Sequence, residues 1–264
     1  MTDQRYLRAE QYHDAANLRA RMTLHERFSV NQCPWQRWVF DHLTLPGQCR
    51  VLELGCGPGK LWLENADRLA PAWKVMLADY SPGMVREARQ GVRDATLVAS
   101  STPEFAYVNL DAQALPFADA SCDAIIANHM LYHVPDRPRA LAEIRRVLRP
   151  DGRFYAATNG EGHLRELDEL LTQAGLPPLA RPANHFTLES GAAELAQVFA
   201  QVTLDRYDDG LAVTEAAPLV AYLESGLRYA AADQARIAAT VAQELTARGG
   251  ALHISKSSGL FTAW

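Results

Sequence analysis

An acid and three glycines alternate along V-L-E-L-G-C-G-P-G-K-L-W, residues 51–62: Glu53, Gly55, Gly57 and Gly59. Glycine at every second position leaves the main chain without Cβ atoms, so a flat ligand can lie against it. An acid just ahead suits a ligand with a cationic end. A dinucleotide asks for something else. Its G-x-G-x-x-G motif needs a third glycine for close packing of helix on strand, and its diphosphate needs N–H groups focused on an anion. Counted from Gly55 and Gly57 the third position is Lys60, and from Gly57 and Gly59 it is Trp62. Neither is a glycine.

Further acids and histidines stand at spaced points downstream. Asp79, in LADYS, lies twenty residues beyond Gly59. An acid at that place can accept both hydroxyls of a ribose; a turn or helix-capping role is the alternative. Asp111 and Ala112 open D-A-Q-A-L-P-F, where a solvated turn residue is the simpler reading of the acid. Asn128, His129, Tyr132 and His133 follow one another in CDAIIANHMLYHVPD. Imidazole titrates near neutral pH, so two histidines within five residues are candidate general bases or orienting groups.

The elements that must position these residues come from periodicity. CRVLEL, KVMLADY, FAYVNL, CDAIIAN and RFYAAT are short strand-like runs. KLWLENADRLA, SPGMVREARQGV and RPRALAEIRRVLR are helical, the second opened by a Ser cap with Pro at its first position. Strand and helix in alternation build a parallel sheet with helices on both faces, with ligands bound beyond the carboxyl ends of the strands. Helical segments are also expected on both flanks. Residues 1–45 are read as a lid, 46–160 as the binding core, and 161–264 as cover helices and last strands, all in a single domain. Extended segments near 202–207 and 251–263 are expected to close the sheet.

Composition excludes several classes. Twenty-six Lys+Arg against thirty-one Asp+Glu give a net charge of −5, which argues against a nucleic-acid backbone as partner. No apolar run reaches the ~20 residues that span a bilayer, and no secretory leader is visible. Cys33, Cys49, Cys56 and Cys122 show neither C-x-x-C pairing nor zinc-ligand spacing, so no metal is expected and the thiols read as reduced, in the cytoplasm. The oligomeric state, monomer or homodimer, stays open.

VLELGCGPGKLW resembles motif I of the class I S-adenosylmethionine (SAM)-dependent methyltransferases, and the resemblance runs from about Arg50 to Thr158. CDAIIANHMLYHVPD is similar to the branch containing the ubiquinone and menaquinone biosynthesis methyltransferases. The resemblance implies an α/β fold: a doubly wound, mostly parallel, seven-stranded Rossmann-like sheet. It also implies a cofactor, SAM. Glu53, Gly55, Cys56, Gly57 and Gly59 would meet its amino-acid end, and Asp79 its ribose. Tyr80 and Met84 would pack on its adenine, and Asp111 and Ala112 would meet the ring edge. Asn128 would lie beside the sulfonium, with His129 as first and His133 as second candidate base. Tyr12, His25 and Tyr132 would touch substrate, and Arg19, Trp35, Asn159, His163, His185, Phe186 and Tyr222 are further candidates from the flanks.

The expected activity is methyl transfer to an oxygen or nitrogen of a small metabolite, with secondary metabolism as one setting. Two alternatives remain, a non-catalytic SAM-binding protein and a NAD-dependent oxidoreductase. A tRNA or DNA methyltransferase is disfavoured by the net acidity and by the lack of an N-P-P-Y or catalytic Pro-Cys signature.

Overall fold

The computed structural model describes residues 16–96, 102–179, 186–225 and 229–264. Among the described residues nine strands follow in chain order: β1 (Arg50–Leu54), β2 (Lys74–Asp79), β3 (Glu104–Asn109), β4 (Cys122–Asn128), β5 (Leu148–Asn159), β6 (Val202–Tyr207), β7 (Gly210–Val213), β8 (Leu252–Ser255) and β9 (Ser258–Ala263). The described helices are α1 (Ala16–Phe28), α2 (Trp35–Asp41), α3 (Lys60–Leu63), α4 (Pro82–Thr96), α5 (Arg137–Val147), α6 (Arg165–Gln173), α7 (Gly191–Leu195), α8 (Ala216–Glu224) and α9 (Ala231–Ala247).

Seven strands form one sheet in the order β3-β2-β1-β4-β5-β9-β6. β1 to β5 pair in parallel, and β9 runs antiparallel between β5 and β6. This is the doubly wound Rossmann-like sheet expected from the alternation of strands and helices. The chain moves outward from β1 to β3, then restarts at β4 on the other side of β1, so the switch point lies between β1 and β4.

Strand side chains alternate between faces, and the core follows that period. Leu52, Leu54, Ile125 and Phe154 pack on one face against Leu141 and Ile144 of α5. Val51, Val75, Ile126 and Tyr155 pack on the other against Val39, Leu61, Trp62, Ala88 and Val92. Glu53 lies between Leu52 and Leu54 in this alternation and therefore faces the second cluster, an acid among apolar side chains.

A third cluster lies apart from both faces. Leu24 and Phe28 of α1 join Leu167 and Leu171 of α6, Leu219 and Leu223 of α8, Ile237 and Val241 of α9, and Leu211 and Ile254 of a two-stranded ribbon made by β7 and β8. The expected helical cover is thus a core of its own. The ribbon explains why the last extended segment is two strands: β8 pairs with β7, and β9 re-enters the main sheet. KLWLENADRLA differs in part from expectation, since the α-helix continues only to Leu63 and a single 3-10 turn follows at Ala66–Arg68. Asn65 is fully buried and turns its amide Nδ2 to the carbonyls of Leu61 and Gln36, at 2.8 and 3.1 Å, which ends the helix and ties it to α2. LESGAAELAQVF likewise yields only the short α7. Among the described residues no helix is long and apolar enough to cross a membrane.

Leu219→Ala removes a fully buried side chain from the third cluster. Urea unfolding is expected to show a loss of about 2–5 kcal/mol.

Candidate active site

All three glycines after β1 take positive φ: 67° at Gly55, 52° at Gly57 and 79° at Gly59. Their reasons differ. A Cβ on Gly55 would lie 2.5 Å from Cβ of Met130, so this bare position admits Met130 across the end of the strand. A Cβ on Gly59 would meet Val92 at 3.1 Å and Ala88 at 3.5 Å, so Gly59 serves the close approach of α4. Gly59 does not line the cavity described below, whereas Gly55 and Gly57 do. The close-packing glycine sought in a dinucleotide motif is therefore present in effect, two residues after Gly57.

Asp79 ends β2 and holds this turn. Its Oδ2 accepts the N–H of Gly57 at 3.0 Å, and its Oδ1 accepts the N–H of Ser81 at 2.8 Å. Burial raises its pKa, and the two N–H bonds hold the rise back. A carboxylate offers about four lone-pair sites, so each oxygen retains acceptor capacity.

Glu53 is 2% exposed, and its Oε2 accepts the indole N–H of Trp62 at 2.6 Å. Burial pushes its carboxyl up to about 8; the Trp62 bond lowers it, and the charge of Asp79 adds to the rise. At neutral pH it is therefore largely a protonated acid. Trp62, the residue that breaks the dinucleotide pattern, is what satisfies it.

A cavity of about 670 Å³ opens along the carboxyl ends of β1, β2 and β4. This falls in the size range of small-molecule sites. Its floor holds Glu53, Gly55, Cys56, Gly57, Asp79, Tyr80, Met84, Asp111, Ala112 and Asn128. Cys56 is a buried thiol whose pKa burial raises strongly. Asp111 Oδ1 accepts from the backbone and side-chain amides of Gln113, both at 2.9 Å, and Oδ2 accepts from the side chain at 3.0 Å. Asn128 Nδ2 reaches Gln36 Oε1 at 3.3 Å, while its Oδ1 is buried with no partner.

The cavity continues upward past His129, Tyr132 and His133 to His25 and Trp35, and to Asn159, His163 and Tyr222. His129 follows β4 with φ of 55°, unusual for a residue with a Cβ. Burial and then the charge of Lys256 lower its pKa to about 4. His25 is lowered to about 3 by burial, Lys256 and His129, against the opposing charge of Asp209. Tyr132 and His133 stand edge to face at 4.5 Å between ring centroids. Phe186 is buried in the sheet core and does not line the cavity. Tyr12, His185 and the side chain of Arg19 lie outside the described residues.

Sequence reading missed Lys256, Asp209, Tyr207 and Gln36. Lys256 and Asp209 form a buried ion pair, with the two side chains 7% and 0% exposed. Asp209 also accepts from Ser29 Oγ at 2.6 Å and from the N–H groups of Val30 and Asn31 at 3.1 and 3.0 Å. Burial opposes its charge, yet these donors hold its pKa below the ordinary value. The turn signal D-D-G at 208–210 and the break K-S-S at 256–258 were visible, but nothing in one dimension says that they meet.

Residues 52–156 match the family described as a methyltransferase domain. Malonyl-[acyl-carrier protein] O-methyltransferase of Erwinia pyrifoliae is 34% identical over 167 residues, 63% of this chain and 59% of that protein. Ubiquinone/menaquinone biosynthesis C-methyltransferase of Pasteurella multocida is 32% identical over 120 residues, 46% of this chain and 43% of that protein. The chain thus spans about half the length of the curated relatives it matches. Phosphoethanolamine N-methyltransferase 2 of Haemonchus contortus, solved with phosphomonomethylethanolamine and S-adenosylhomocysteine, shares the fold at a TM-score of 0.56 and 17% identity, covering 98% of this chain and 58% of that one. Residues 52–156 thus match a methyltransferase domain, and the fold is one shared with solved methyltransferases. The matched segment is similar to SAM-dependent methyltransferases, the ubiquinone/menaquinone enzymes among them.

Glu53→Gln keeps an acceptor for Trp62 and removes the titration. The folded value near 8 exceeds the ordinary 4.5, so the folded chain holds an extra proton between those limits and loses stability as pH rises through them. The Glu53→Gln variant, free of ligand, is expected to lose less Tm than wild type between pH 5 and pH 9, and parallel Tm curves would remove the argument. A second test uses Gly55→Ala, which should destabilise the fold through both left-handed strain and the Met130 clash. Adding Met130→Gly, which removes the clashing Cβ as well, should relieve the clash and leave the strain, about 1–2 kcal/mol, together with whatever the lost Met130 packing and the second glycine cost.

Proposed function

We propose that this chain transfers the methyl group of SAM to an oxygen or nitrogen of a small molecule held in the upper half of the cavity. The observation that carries the reading is the continuity of one cavity from the turn at Gly55 and Gly57 to the cover residues His25 and Tyr222. Cofactor and acceptor would then share one enclosed space. A non-catalytic binding protein would not need the upper half open.

The floor fits SAM. Two glycines with positive φ leave bare main chain, Asn128 presents an unpartnered buried oxygen, and two acids bracket the turn. When bound, SAM supplies a methyl group on a sulfonium, ready for in-line displacement. Asp79 would accept the ribose hydroxyls through the lone pairs that Gly57 and Ser81 leave spare. Asp111 Oδ2 and the Ala112 N–H would read the adenine edge, with Tyr80 and Met84 packed on its faces. Glu53 would regain its charge as a cationic ammonium enters and would balance it.

At neutral pH His129 is an uncharged imidazole, able to accept a proton but a weak base at a pKa near 4. Alignment of the acceptor would thus supply most of the acceleration, of order 7–11 kcal/mol. His129 would orient the acceptor and take its proton only where the acceptor gives it up readily. His133 and Tyr132 stand ready for the same face, and Tyr12 remains a candidate for the lid.

The named activities of the relatives include O-, N- and C-methyl transfer. Oxygen or nitrogen is the reading preferred here because polar, hydrogen-bonding side chains surround the upper cavity. A net charge of −5 supports a small molecule over a nucleic acid, and four unpaired cysteines support a reducing, cytoplasmic setting.

Calorimetric titration with SAM tests the floor. Asp79→Ala is expected to weaken binding at least tenfold, and unchanged affinity would sink the ribose assignment. Formation of S-adenosylhomocysteine with a metabolite panel tests turnover, where His129→Ala should lower kcat more than SAM affinity.

A further inference from the structure

Resting on the methyltransferase reading, we infer that the methyl acceptor carries an oxyanion, a carboxylate or phosphate group, received in the upper cavity by Lys256 together with His25, His129 and Trp35.

All four side chains line the cavity. Three of them hold nitrogens that are buried without any partner: Nδ1 of His25, Nδ1 of His129 and Nε1 of Trp35. The indole N–H can only donate, and each imidazole Nδ1 donates in one of its tautomers. A buried donor left unmade is costly, so native chains keep such groups for a ligand or a water. These groups also converge. The charge of Lys256 is felt at both imidazoles, that of His129 is felt at His25, and the rings of Trp35 and His129 lie 5.0 Å apart.

The fourth group adds charge. Lys256 has three ammonium hydrogens, and the side-chain acceptor it meets is Asp209. Asp209 is itself shared among Lys256, Ser29 and two backbone N–H groups, so its negative charge is spread over four donors. Around His25 stand Lys256, His129, His163 and Tyr222, with Asp209 the acid that acts on it. A region with this many donors attracts an acceptor-rich anion more than a neutral amide or an amine. An arriving oxyanion would favour the charged form of both imidazoles and so gain further hydrogen bonds. Asp209 is already shared among four donors, so the cluster offers a cationic acceptor little in return.

Equilibrium titration of the protein, alone and loaded with S-adenosylhomocysteine, with malonate, inorganic phosphate and malonamide tests the inference. At least one of the two anions is expected to bind tenfold or more tightly than malonamide. Whichever of malonate or phosphate binds tighter assigns the group. His25→Leu should weaken anion binding about tenfold while leaving S-adenosylhomocysteine affinity within twofold. Lys256→Gln should abolish it, but this variant strands Asp209 and can unfold the chain, so His25→Leu carries the test independently. Equal binding of malonamide and both anions, or no effect of His25→Leu, overturns the inference. Failure of S-adenosylhomocysteine itself to bind would instead overturn the methyltransferase reading, and the anion titration of the protein alone stands apart from that outcome.

Discussion

The N–H of Gly57 donates to the carboxylate of Asp79 across the ends of β1 and β2. This single bond links a turn that only glycine can make to an acid that must stand beside it. Positive φ at three glycines lets the chain leave β1 sharply, which brings α3 over the second face of the sheet and lets Trp62 reach Glu53. Without the turn, Asp79 would lose a donor and Glu53 would be a buried acid with no partner. Gly57, Asp79, Trp62 and Glu53 thus form one cooperative unit in the floor, satisfied among themselves, beside an Asn128 Oδ1 left open for a ligand.

A second junction governs the roof. β6 and β9 are paired as far as Tyr207 and Ser258, and β7 and β8 are paired from Gly210 and Ser255. Asp209 and Lys256 occupy the short links between the two ladders. Their ion pair is anchored by the segment after α1 through Ser29, Val30 and Asn31. A buried pair is weak evidence for stability, since desolvation offsets much of its attraction. Its bonds tie the ribbon, the segment after the first helix and the sheet edge together beside the cavity that His25 and His129 line.

The two halves of the site thus obey different physics. The floor is made at the ends of parallel strands, where local chain geometry dictates position. The roof is assembled from α1, from the links around the ribbon and from Tyr222 of α8, held by the apolar cluster of Leu24, Leu219 and Ile254. Depressed imidazole pKa values belong to the roof and an elevated carboxyl to the floor. The cavity accordingly holds neutral imidazoles above and a mostly protonated acid below.

Much of the floor could be read in one dimension because its residues are tied to strand ends. Alternation of strand and helix implied the parallel sheet; Glu53 stands one residue before the end of its strand, and Asp79, Asp111 and Asn128 each close or follow one, so finding the strands located the side chains. The glycines were legible as glycines, but their separate duties were not: Met130 over Gly55 and Val92 against Gly59 are contacts between distant segments. The helix after Gly59 was overestimated because Asn65 is pulled aside by the Gln36 carbonyl of α2. Periodicity carries local and strand-to-strand information, which was enough for the sheet, while the turn showed in its glycines and the family likeness in a motif resemblance. The protonation of Glu53, the Lys256–Asp209 pair and the convergence of His25, His129 and Trp35 depend on burial and on contacts far apart in the chain, so only the folded arrangement decided them.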